Sequence, residues 1–114
     1  VNKTTKKLEK NVIKALTQAC ESCKEFVTGF DWLTHTADYS DFPASLHITC
    51  VFDSEDAKVA ATVSQHASMM SEIENHLANY GVTLKKIERH VSFDSEQACT
   101  REHGGNWQLR LAQH

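Results

Sequence analysis

The sequence predicts an α+β domain in the order helix-strand-strand-helix-strand-helix. A small antiparallel or mixed three-stranded sheet carries helices packed on one face. Three observations predict it. Apolar residues recur at spacings of three and four from Leu8 to Val27, residues Ser45 to Phe52 alternate with a period of two, and a second helical pattern opens after Asp53 and stops at Gly81.

The first helix is expected from about Thr5 to Thr28. Leu8, Val12, Ala15, Leu16, Ala19, Cys20, Cys23, Phe26 and Val27 form its apolar stripe, and Gly29 supplies the left-handed residue that closes it. Phe30 to Tyr39, rich in aromatic residues and Thr, reads as the first strand. Ser40 to Ala44 is a loop, and Pro43 drives Phe42 toward extended backbone. In the second strand Leu46, Ile48, Cys50 and Phe52 share one face, with His47, Thr49 and Val51 on the other. The two strands are expected to pair antiparallel across a long connection.

Asp53 or Ser54 is expected to cap the second helix. Its apolar face reads as Val59, Val63, Ala67, Met70, Ile73, Leu77 and Tyr80, with a bend near Ser64 to Ser68. Val82 to Phe93 reads as a third strand with a bulge near Lys85-Lys86, fitting beside either member of the hairpin. Asp94-Ser95-Glu96-Gln97 has capping-box spacing, Asp94 and Gln97 being the reciprocal pair of a short helix to about His103. Gly104-Gly105 breaks that helix. Asn106 then caps a last turn through Trp107, Leu109, Arg110 and Leu111.

The 114 residues suit one domain spanning the whole chain, 1–114, and one hydrophobic core is enough to hold it. A net charge of −3 argues against general attraction to nucleic acid or anionic membranes, though not against a local basic face. No apolar run approaches the roughly 18 residues of a membrane span. The opening residues lack the apolar core of a signal peptide. Four cysteines without an export signal point to reduced thiols in a cytoplasm; a mature secreted form is the other reading.

Each candidate site has a plainer explanation beside it. Cys20, Cys23, Cys99 and His103 have spacings that suit a tetrahedral zinc site. Cys20 and Cys23 also lie on the apolar stripe, where a reduced thiol packs as a small hydrophobe. His35, His47 and His90 fall on three strands and, with Thr34, Thr36 and Thr49, would line a polar sheet face; scattered exposed histidines are the alternative. Cys50 as a nucleophile competes with Cys50 as core. Asp94, Glu96 and Glu102 near His90 and His103 are explained by capping and solvation. Lys3, Lys7, Lys10 and Lys14, with Lys6 beside them, make a basic helical stripe able to meet phosphates, or simply a solvated face. Trp107 beside its glycine pair either pins the last helix or borders a partner groove. No phosphate loop, nucleophile elbow or metalloprotease motif is present.

The segments Phe42-Pro43-Ala44-Ser45-Leu46, Cys50-Val51-Phe52-Asp53, Arg89 to Cys99 and His103-Gly104-Gly105-Asn106-Trp107 resemble those of a family of small bacterial proteins of uncharacterised function. Some of that family carry the name of Fis-type transcriptional regulators. The resemblance spans most of the chain and implies a bacterial cytoplasmic protein, but supplies no catalytic residue. Fis proteins proper are all-helical and end in a helix-turn-helix; this chain has three strand patterns and a Gly-Gly break near its end. No binding residue is carried over.

The expectation is therefore a non-enzymatic interaction or regulatory module working through a sheet face or edge. A homodimer or another protein partner would close the sheet edges, and neither a cofactor nor a membrane is expected. The alternatives are a nucleic-acid-binding regulator using the basic stripe and a zinc-binding protein.

Overall fold

The computed structural model describes residues 3–113, Lys3 by its backbone alone. Helix α1, Lys3–Phe26, buries Val12, Ala15, Leu16, Ala19 and Cys23 along the predicted stripe. Gly29 follows with φ +81°, and a Cβ there would come within 2.5 Å of the Ala57 Cβ. Only glycine satisfies both the left-handed backbone and that close approach. Strand β1, Phe30–Thr36, then runs antiparallel to β2, His47–Phe52, with its register irregularity between Phe30 and Trp32. The connection holds one 3₁₀ turn at Tyr39–Asp41, capped by Asp38, and Phe42 has the extended backbone expected before Pro43.

Ser54 caps α2, Glu55–Ser64, by accepting from the Ala57 N–H. The helical pattern breaks at Gln65, within the expected bend, and resumes as α3, His66–Asn79. The break changes the helical phase. Val59 and Val63 are therefore 57% and 82% exposed and Ala67 is exposed, contrary to the apolar face read across a continuous helix. Ala61 from α2 and Met69, Met70, Ile73 and Leu77 from α3 face the core instead.

The third strand is shorter than expected. Val82, Leu84 and Ile87 are buried, but residues 82–86 are irregular and Ile87–Arg89 forms a 3₁₀ turn. Their alternation comes from anchoring a loop, not from pairing. Strand β3 is Val91–Ser95 and lies parallel to β2, so the mixed sheet has the order β1-β2-β3. Helix α4, Glu96–His103, is capped by Ser95, which accepts from the Ala98 N–H. The Asp94–Gln97 capping box does not form. Asp94 turns to Arg110, and Gln97 accepts from the backbone N–H of Glu55 at 2.8 Å, at the start of α2. Asn106 caps α5, Trp107–Ala112, as expected.

Hydrogen bonds from Gln18 to Tyr80 and between Ser22 and His76 set α1 antiparallel to α3. These two helices join one face of the sheet in a single core with Ile48, Cys50 and Phe52 at its centre. The short α5 lies over the other face.

Candidate functional site

Register decides what that second face carries. Leu33, Cys50 and Phe93 stand side by side, as do His35, Ile48 and Val91, and both rows have the phase of the core. The intervening rows must point the other way. They are Thr36 with His47, Thr34 with Thr49 and Ser92, and Trp32 with Val51 and Asp94. The second face is thus a band of hydroxyls and one imidazole ending at a row with an aromatic ring and a carboxylate. A cavity of about 540 Å³ stands over it, with Thr34, Thr49 and Ser92 across the floor and Lys58 and Arg110 at the rim. His47 Nε2 and Ser92 Oγ are hydrogen-bonded at 2.9 Å.

Polar contacts hold the C-terminal segment at one end of this cavity. Arg110 is buried and grips Asp94 with two donors, Nε to Oδ2 at 2.6 Å and Nη2 to Oδ1 at 2.8 Å. Its remaining nitrogen, Nη1, reaches Glu102 at 2.9 Å and the Ala98 carbonyl at 3.4 Å. Burial alone would raise the Asp94 carboxyl. The Arg110 hydrogen bonds, the Ser95 N–H and the Arg110 charge more than offset it and hold Asp94 below the usual range. Glu102 is drawn down to about 2 by hydrogen bonds from Arg101 and Arg110. Glu96 accepts from two indoles, Trp32 Nε1 at 3.3 Å and Trp107 Nε1, and the two rings meet edge to face at 5.0 Å. Trp107 therefore pins the last helix against the sheet.

The other sequence-derived candidates scatter. Cys20 and Cys23 lie on α1, and the Cys23 thiol lies near Cys50 and Glu72. Cys99 lies on α4 among Arg110, Glu96 and Asp94, and His103 Nε2 bonds Gln113 at 3.0 Å. The structure does not gather these four, and among the described residues no three His, Cys, Asp or Glu stand grouped to hold a metal. Burial raises every cysteine: Cys23 to about 12, and Cys20, Cys50 and Cys99 also upward. A thiol so raised is protonated near neutrality and is a poor nucleophile. Cys50 is core.

The three histidines do not converge. His47 lies on the hydroxyl face. His35 has the core phase, and burial depresses it while the Glu9 charge pulls it back. His90 ends the 3₁₀ turn and donates from Nδ1 to the Leu46 carbonyl at 2.7 Å. Of the basic stripe, Lys7, Lys10 and Lys14 are exposed along α1 with Lys6, whereas the Lys3 side chain lies outside the described residues. Sequence reading grouped Thr34, Thr36, Thr49 and His47 but missed Ser92 and Arg110. Ser92 could have been found from its alternation with Val91 and Phe93. Arg110 gave no local signal, since its partner is sixteen residues away.

Comparison with protein-family models, with curated proteins and with solved structures returns no match to this chain. No helix among the described residues is long and apolar enough to cross a membrane.

Proposed function

We propose that this protein is a non-catalytic binding module that takes a small, neutral, hydrogen-bonding molecule on its hydroxyl-lined sheet face. The observation that carries this reading is the row Thr34–Thr49–Ser92, joined by His47, beneath a cavity of ligand size. Hydroxyls both donate and accept, so they suit polyols and amides. His47 and Ser92 are the nearest approach to a base and nucleophile. Binding is favoured over catalysis because the neighbouring cations are engaged: Arg110 with Asp94 and Glu102, and Lys58 with Glu55 at 2.9 Å. Neither is left to stabilise an oxyanion, usually the largest contribution to acyl transfer.

Backbone-amide shifts of labelled protein, titrated with a mixture of neutral fragment-sized polyols and amides, test this. The expected result is shifts concentrated at Thr34, His47, Thr49 and Ser92. Shifts confined to other surfaces would refute it, and His47-dependent ester hydrolysis would replace binding with chemistry.

A homodimer stays part of the proposal through β1, which borders the sheet and has a strand neighbour on one side only. Light scattering showing a strict monomer at high micromolar concentration would remove it. A nucleic-acid-binding reading is supported by the exposed Lys6, Lys7, Lys10 and Lys14. It requires binding that weakens steeply with salt and with Lys7→Glu plus Lys10→Glu.

A further inference from the structure

A second cavity, of about 570 Å³, lies at the opposite end of the parallel strands, between the loop before β2 and the segment leading into β3. Its construction follows from the 82–90 segment. Val82, Leu84 and Ile87 are drawn into the core, which turns the residues between them outward. Lys85, Lys86 and Arg89 therefore line the cavity mouth, while Pro43, Ala44 and Leu84 give it an apolar side. His90 also lines it, its ring set by the Nδ1 donation to Leu46.

The three cations are the informative feature. None of the ion pairs among the described residues takes up Lys85, Lys86 or Arg89. Glu88 is the acid among them in sequence, and it too is exposed. Three exposed cations thus line one cavity of a chain whose net charge is −3. Like charges held together without partners raise the local positive potential and attract an anion.

We infer that this cavity binds a small amphiphilic anion, an aryl or short acyl body bearing a phosphate or carboxylate. The body rests on Pro43, Ala44 and Leu84, and the head group meets Lys85, Lys86 and Arg89. A cavity of a few hundred cubic ångströms with one apolar wall and clustered polar groups is the ordinary form of a small-molecule site. A bare polyanion would use the cations and leave the apolar wall idle.

Calorimetric titration of the intact protein with 1-naphthyl phosphate, 1-naphthol and inorganic phosphate, with amide-shift mapping, tests the inference. The expected result is that naphthyl phosphate binds more tightly than either fragment alone and shifts amides at 83–90. Lys85→Ala with Lys86→Ala and Arg89→Ala should weaken it by about tenfold or more. These side chains are exposed, so the variant should fold. Single Lys86→Glu supplies a second measure should the triple variant fail. Absence of naphthyl phosphate binding, equal binding by naphthol, or an unchanged affinity in the variants would overturn it. So would tighter binding of a short oligonucleotide that is abolished by Lys7→Glu with Lys10→Glu. The sheet-face proposal is read from different amides and neutral probes, so each can fail alone.

Discussion

The two faces of the sheet are held in different ways. The face under α1 and α3 is closed by many apolar side chains, with Ile48, Cys50 and Phe52 fully buried. The opposite face bears hydroxyls and is covered at one end by a six-residue helix held through Arg110, Trp107 and Glu96. Apolar packing is non-directional and distributes its stabilisation over many contacts. The second face sets a few directional contacts beside the buried Val51. The difference separates a face closed by apolar packing from one that stands beneath a cavity.

The largest effect is expected on the apolar face. Phe52 touches the rings of Phe30 and Phe93, at 5.6 and 5.1 Å between centroids. Phe52→Ala should destabilise the fold by about 4 kcal/mol, measured by chemical denaturation. A loss below about 1 kcal/mol would mean that this face is not the main core.

Next comes the clamp on the other face. Arg110→Ala leaves Asp94 largely buried without its counter-charge, and a loss of about 3 kcal/mol is expected. Arg110→Met combined with Asp94→Leu should recover most of it, since the desolvation of two charges disappears with them. If the double variant is no better than the single one, the bond's geometry matters more than the stranded charge.

This contrast also shows what the sequence could reveal. The α1 stripe, the hairpin of β1 and β2, Gly29 and the Asn106 cap were legible because each is a local pattern. The β3 start was not: Val82 and Leu84 alternate like a strand while serving as loop anchors. The helix phase across Gln65 was not, because a one-residue interruption leaves composition unchanged while turning Val59 and Val63 outward. The polar face was half legible. Thr34, Thr36, Thr49 and His47 have the right phase within their strands, but the partnership of Ser92 needed the register. Asp94 looked like a cap because its true partner, Arg110, lies beyond any local window.

A smaller effect is expected from pH. His35 is depressed below its ordinary 6.5, mainly by burial. The unfolded chain therefore takes up that proton first, and stability is complete above about pH 6.5 and declines as pH falls below it. Asp94 and Glu102 are held below the ordinary carboxylate range, so their contribution is present above it and is lost on further acidification, for Glu102 toward about 2. Thermal melts across pH should fall in two stages, and His35→Leu should flatten the upper one. An unchanged upper stage in that variant would place its origin in another group.

The smallest effect is expected at Val63, which is 82% exposed. Val63→Lys should change stability by no more than about 0.5 kcal/mol. A larger loss would show that α2 is covered in solution and would extend the dimer question beyond the β1 edge.

The most direct measurement of the central claim is the affinity of the best neutral fragment for the wild type and for Thr49→Val with Ser92→Ala. Both substitutions remove hydroxyls from the cavity floor and leave the apolar face untouched. Affinity should fall about tenfold with the melting temperature nearly unchanged. Equal affinity in the two proteins, with the fold intact, would show that the hydroxyl row is not where this molecule binds.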